Sequence, residues 1–170
     1  MRKRKLQDYS YTLILLGLLI LLIAMMAVSS PYFLSWKNCR NILNQSAIYL
    51  VLSMGMTFVI AAGQIDLSAG AVIGFSGMCM GLSYQAGFPA IAAIIIGLFS
   101  AAFIGLINGL IISYGKINSF IVTLATMTIL RGVILILTNS KSIFGFGPVF
   151  SFIGSGNIGP VNLPIIISLV

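Results

Sequence analysis

The sequence has 170 residues, 59% of them hydrophobic and only 6% charged. This excludes a soluble domain, because soluble domains carry about a quarter charged residues to face water. The net charge of +7 does not indicate a nucleic-acid partner, since four of the nine cations lie at residues 2–5 and the others are scattered singly. Histidine is absent and Cys39 and Cys79 are far apart, so we predict no catalytic residue and no metal site.

Six apolar stretches follow one another along the chain. A helix needs about 20 apolar residues to cross about 30 Å of hydrocarbon. We predict an all-α transmembrane bundle with spans at residues 11–28, 42–62, 70–84, 90–113 and 117–137 and the start of a sixth at 163–170. The last stretch is too short to cross, so we expect residues 1–170 to be the first part of one transmembrane domain that continues beyond them.

The basic run at residues 2–5 predicts a cytoplasmic N-terminus by the positive-inside rule. This run and Ala27-Val28-Ser29 resemble a signal peptide, but the apolar core between them exceeds the usual length of about 7–15 residues. An uncleaved first helix is therefore favoured. With this orientation Lys116 lies inside, whereas Lys37, Arg40 and Lys141 lie outside.

The second and third spans are separated by a break from Gly63 to Ala69 that contains Asp66. A broken membrane helix exposes backbone groups that lipid cannot satisfy, so protein or a watery cavity must cover the break. Asp66 or Ser68 caps the third helix, or the segment is an ordinary loop, or these residues take part in substrate passage or gating. The sequence leaves open whether the break is a cytoplasmic loop or lies within the membrane.

Arg131 is the only charge inside a predicted span, where burial in mid-bilayer costs about 2.5 kcal/mol or more. It either snorkels to the outer surface, pairs within the bundle, or lines a substrate path. If the break is a cytoplasmic loop, the predicted orientation places Asp66 and Arg131 on opposite sides, where they cannot pair. The neutral polar residues Asn108, Thr123 and Thr126 either bond a neighbouring helix or line such a path.

Small residues recur at helical spacing in the third and fourth spans. Close backbone approach drives helix association in lipid, so these positions are predicted to pack helices together, although a small-residue lining of a path also remains open. The residues are Gly70, Gly74, Gly77, Gly81, Gly97, Ala101, Gly105 and Gly109.

Two blocks of the sequence resemble the ribose-type permeases of bacterial ABC importers. The first runs from Gly55-Met56-Thr57-Phe58-Val59-Ile60 through Gly63 to Ile65-Asp66-Leu67-Ser68 and Gly70. The second comprises Asn108-Gly109, Phe120-Ile121-Val122-Thr123-Leu124-Ala125-Thr126-Met127-Thr128 and Arg131-Gly132. Ala125 stands where many relatives have glycine, which is a change between two small residues.

This resemblance implies the permease subunit of an ATP-driven sugar importer in a bacterial cytoplasmic membrane, working by alternating access. It also implies a subunit about twice this length that pairs with a second permease copy. Its other partners would be two ATP-binding subunits, which use ATP and Mg²⁺, and a periplasmic or lipid-anchored sugar-binding protein. The ATPase-docking loop of the family follows the sixth span, beyond residue 170, so we expect residues 1–170 alone not to transport. The chain itself is expected to hold no cofactor, and the sugar is not specified.

Two other functions stay open from the residues. A gradient-driven secondary transporter usually carries ionisable residues inside its spans, and here only Arg131 qualifies. A non-transporting membrane scaffold would need neither the Gly63–Gly70 break nor Arg131.

Overall fold

The computed structural model describes residues 2–158 and 161–169, with side chains for residues 11–156 and 162–168. Its elements are α1 (Arg2–Ser29), α2 (Trp36–Ala61), α3 (Ala69–Gln85), α4 (Ala90–Gly115), α5 (Ser119–Thr138), α6 (Pro148–Ser155), β1 (Asn157–Ile158), β2 (Val161–Asn162) and α7 (Leu163–Leu169). The two short strands pair antiparallel. The chain divides into two compact units, residues 1–46 and 47–170, and the boundary lies inside α2.

Four helices in the described part of the chain are long and apolar enough to cross a membrane. They are Tyr11–Ser29 within α1, and α2, α4 and α5. Helix α3 has 17 residues and rises only about 26 Å, which is short for a full span. The helical membrane class is therefore confirmed, whereas the count of five complete spans and the start of a sixth stays a prediction.

In the first unit, a short turn at residues 30–35 separates α1 from α2. The hydroxyl of Ser35 accepts a hydrogen bond from the backbone N–H of Asn38 at 3.3 Å, which caps α2. The Asn38 amide in turn donates from Nδ2 to the backbone oxygen of Phe33 at 2.7 Å. Residues 29–41, which lie between the first two predicted spans, are therefore not all loop, because this cap starts α2 at Trp36.

In the second unit, α3, α4 and α5 pack against one another. The backbones of α3 and α4 come close at Gly97 of α4, where a Cβ would lie 3.1 Å from the Ser76 carbonyl oxygen and 3.1 Å from Cβ of Met80. The buried apolar side chains of these helices are Ala71, Met78, Ala93, Val122 and Leu130. Large apolar residues remain exposed on the other faces, as on helices that face lipid.

The predicted packing glycines differ in their surroundings. A Cβ added at Gly74, Gly81 or Gly97 would lie within 3.4 Å of a neighbouring atom. Gly70, Gly77, Gly105 and Gly109 have no such neighbour within 4 Å among the described residues, and Ala101 is half-buried. Gly97 meets the backbone of α3 at Ser76, whereas Gly74 and Gly81 meet side chains of α5 and of the connection that follows it.

The connection after α5 contains the short helix α6, which the sequence did not predict. Its Phe150 ring lies 4.9 Å from the Tyr84 ring of α3 and 5.4 Å from that of Phe146, both edge to face. The side chain of Gln85 donates to the backbone oxygen of Phe144 at 2.9 Å. These contacts fix the connection against the C-terminal end of α3.

Candidate functional site

Helix α2 ends in a sharp turn that its sequence dictates. The N–H of Gly63 donates to the carbonyl of Ile60 at 2.9 Å, and the N–H of Gln64 donates to that of Val59 at 3.1 Å. This pair of bonds terminates a helix when the first of the two donor residues takes a left-handed conformation. Gly63 does so, with φ of +70°. The chain is then non-helical until α3 begins at Ala69.

Asp66 and Ser68 form a tight turn within this break. Oδ1 of Asp66 accepts from the backbone N–H of Ser68 at 2.7 Å and from its hydroxyl at 2.6 Å. Neither side chain caps the first turn of α3, so that part of the sequence prediction is wrong. Asp66 lies two residues before the N-cap position, and its carboxylate instead orders Ser68, the residue that precedes the helix.

The backbone of the break is bonded by side chains of α5. The N–H of Ile65 donates to Oγ of Ser119 and that of Leu67 donates to Oγ1 of Thr123, both at 3.1 Å. Thr123 donates its own proton to the backbone oxygen of Ser119 at 2.7 Å. These bonds satisfy backbone groups that lipid would leave unpaired.

Asn108 of α4 links the break to α5. Its Nδ2 donates to Oγ of Ser68 at 3.2 Å, and its Oδ1 accepts from Oγ1 of Thr126 at 2.6 Å. The exposed fractions are 0% for Ser68, 6% for Asn108 and 2% for Thr123. A continuous series of hydrogen bonds thus joins Asp66 and Ser68 in the break to Asn108 on α4 and Thr126 on α5.

We call this group the polar cluster. It consists of Asp66, Ser68, Asn108, Ser119, Thr123 and Thr126. Five of these residues were candidates from the sequence. Ser119 was missed, although its spacing of four from Thr123 and seven from Thr126 places all three on one face of α5.

Arg131 lies apart from the polar cluster. It is exposed on α5, eight residues and about 12 Å beyond Thr123 along the helix. It makes no ion pair or hydrogen bond with any residue that the structure describes. The structure therefore does not bring Arg131 and Asp66 together.

The polar cluster contains hydroxyl, amide and carboxylate groups that bond one another and the backbone of the break. Such an arrangement fixes the position of a non-helical segment between helices.

Comparisons with known proteins place the chain among membrane permeases. A family model described as "Branched-chain amino acid transport system / permease component" matches residues 38–158, which include the break and the whole polar cluster. No solved structure matches the chain.

Three curated relatives carry sugars in their names. The chain is 37% identical to the ribose import permease protein RbsC of Haemophilus influenzae over 157 residues, covering 89% of this chain and 49% of that protein. It is 41% identical to RbsC of Bacillus subtilis over 137 residues, covering 81% and 42%. It is 35% identical to the D-allose transport system permease protein AlsC of Escherichia coli over 156 residues, covering 90% and 48%.

The chain thus spans about half the length of the curated relatives it matches. The family model nevertheless covers most of its residues. The chain therefore belongs to this family of transport-system permease components.

Proposed function

We propose that the protein is the membrane permease subunit of an ATP-driven sugar importer in a bacterial cytoplasmic membrane. The observation that carries this proposal is the match to permeases named for ribose and D-allose over at least 81% of this chain. A pentose or an aldohexose is accordingly the proposed substrate class. The subunit provides a path and is not itself an enzyme.

The proposed topology starts with residues 2–5 in the cytoplasm. Helices α1 to α5 then cross in alternation, with α3 as a short span and α7 as the beginning of a sixth. This places the break, Lys116 and the start of α5 on the cytoplasmic side. The bonds from Ile65 and Leu67 to α5 support this placement, because they join the break to the end of α5 that follows Lys116.

The proposed partners follow from the importer class. Two ATP-binding subunits bind and hydrolyse ATP with Mg²⁺, a second permease copy completes the path, and a periplasmic or lipid-anchored protein delivers the sugar. The permease rocks between outward-open and inward-open states as its partners bind and release nucleotide.

The polar cluster is proposed to act in gating rather than as a lining that touches sugar. Ser68, Asn108 and Thr123 are almost fully buried, so within the described part of the chain they offer a solute little surface. Their bonds tie the break to α4 and α5, so that the three elements move together. Arg131, which is exposed on α5, remains the candidate for a residue that lines the sugar path.

The test is purification of the native gene product with a chromosomal affinity tag, from membranes solubilised in mild detergent. Mass spectrometry then identifies the retained proteins. The proposal predicts an ATP-binding cassette subunit in near-stoichiometric amount. Recovery of the permease without any ATPase, under conditions that retain the second copy, would contradict it.

A further inference from the structure

A cavity of about 400 Å³ lies in the first unit, between the C-terminal end of α1 and the N-terminal end of α2. Its polar side chains are Ser30, Ser35, Lys37, Asn38 and Asn41. Met26 and Phe33 supply apolar wall. The cavity thus combines hydrogen-bonding groups and one cation with an apolar side.

The position of the cavity along α1 and α2 indicates which kind of ligand can reach it. Met26 belongs to the last turn of the α1 span, whereas Lys37 lies about five residues, or about 8 Å, before the apolar stretch of α2 that begins at Ile42. Phospholipid headgroups occupy the layer of several ångströms that borders the hydrocarbon. Tyr32 lines the cavity, and Trp36 lies next to two lining residues, Ser35 and Lys37, in the sequence. The two aromatic side chains are 78% and 72% exposed, as expected at this depth.

The sequence gives this region a positive charge. The sequence contains no Asp or Glu between residues 9 and 65, and Lys37 and Arg40 are its cations there. Lys37 makes no hydrogen bond or ion pair with any described residue. Asn38, in contrast, is held by its bonds to Ser35 and Phe33, so the polar wall is fixed while the lysine is available.

We infer that this cavity binds the headgroup of an anionic phospholipid, with the Lys37 ammonium on the phosphate and the acyl chains along α1. A zwitterionic headgroup fits less well, because its own cation offsets the phosphate charge. The inference rests on the proposed location in a membrane. One lysine near the phosphate is expected to raise the affinity for an anionic lipid about fivefold over that for a zwitterionic lipid.

The experiment uses Trp36, the only tryptophan among these 170 residues, as a local probe. The full-length protein is reconstituted in bilayers that contain equal fractions of brominated phosphatidylglycerol or brominated phosphatidylcholine. The signal of a Trp36→Phe variant is subtracted from each measurement. We expect phosphatidylglycerol to occupy the site about fivefold more than phosphatidylcholine, and this preference to fall when salt screens the charge.

The matched variants are Lys37→Gln and Lys141→Gln, because Lys141 is an exposed lysine outside the cavity. The preference should disappear in Lys37→Gln and persist in Lys141→Gln. Equal quenching by the two lipids, or an unchanged preference in Lys37→Gln, would overturn the lipid site while leaving the membrane location intact. Quenching by neither lipid would overturn both. Loss of the preference on addition of millimolar inorganic phosphate at constant ionic strength would assign the site to free phosphate instead and overturn the lipid proposal.

Discussion

Oγ1 of Thr126 on α5 donates a hydrogen bond of 2.6 Å to Oδ1 of Asn108 on α4, and the Asn108 amide continues this bond to Ser68 at the start of α3. Two helices and a break in the chain are thereby joined through one asparagine. Side-chain hydrogen bonds between membrane helices contribute about 0.6–2 kcal/mol each. These two bonds therefore help to hold α4, α5 and the break together.

Replacing Thr126 by Val keeps the shape of the side chain and removes the bond to Asn108. We expect Thr126→Val to lower the thermal stability of the detergent-solubilised protein by an amount that corresponds to about 1 kcal/mol. The matched control is Thr128→Val, because Thr128 donates only to the Leu124 carbonyl of its own helix. Heating followed by size-exclusion chromatography measures both variants, and equal losses would contradict a special role for the interhelical bond.

Two substitutions separate the role of Asp66 as a hydrogen-bond acceptor from the role of its negative charge. Asp66→Asn keeps an Oδ1 acceptor for the N–H and hydroxyl of Ser68, whereas Asp66→Ala removes it. We therefore expect sugar uptake and stability to stay near wild type in Asp66→Asn and to fall in Asp66→Ala. If a stable Asp66→Asn protein lost uptake as fully as Asp66→Ala, the charge itself would be required, which would favour coupling to an ion gradient.

The turn at Gly63 makes a prediction about backbone conformation alone. With φ of +70° and no neighbour within 4 Å of a new Cβ, Gly63→Ala is strained without a clash, at a cost of about 1 kcal/mol. Gly55 lies within α2 with equally open surroundings, so Gly55→Ala should be neutral or stabilising, since alanine is the better helix former. The two melting temperatures should move apart, and a stabilising Gly63→Ala would disprove the turn.

The contact between α3 and α4 is tested at Gly97 and Gly105. Leucine at position 97 would meet Ser76 and Met80, whereas leucine at position 105 has no described atom within 4 Å of its Cβ. We expect Gly97→Leu to cause the larger loss of folded protein in detergent, because overpacking between helices costs about 1–3 kcal/mol. A comparable loss in Gly105→Leu would contradict a close contact between α3 and α4 at Gly97.

The sequence predicted the break and most of the polar cluster because membrane spans make polar residues rare and therefore informative. Asp66, Asn108, Thr123 and Thr126 stand out in otherwise apolar stretches. The sequence could not predict that Asn108 meets Ser68, since the two lie 40 positions apart and the register of α4 against the break is undetermined. Register depends on the packing at Gly97, and small residues repeat along α4 with no mark of which one makes contact.

Arg131 and the helix boundaries show other limits. As the single charge of a span, Arg131 stood out as strongly as Asp66, but it lies on a different face from Thr126 because five residues turn a helix by about 140° beyond a full turn. The start of α2 at Trp36 depends on a local cap by Ser35, and hydropathy does not detect caps. Helix α6 depends on aromatic contacts with Tyr84 that are distant in sequence.

The central claim, ATP-driven sugar import, is tested most directly by uptake of radiolabelled ribose and D-allose. Cells that lack the gene are compared with cells in which it is restored, and each is treated either to deplete ATP or to collapse the proton gradient while ATP is maintained. We predict that at least one sugar enters only when the gene is present, and that its uptake follows the ATP pool. Uptake that persists without ATP and stops when the gradient collapses would contradict the account and identify a secondary transporter.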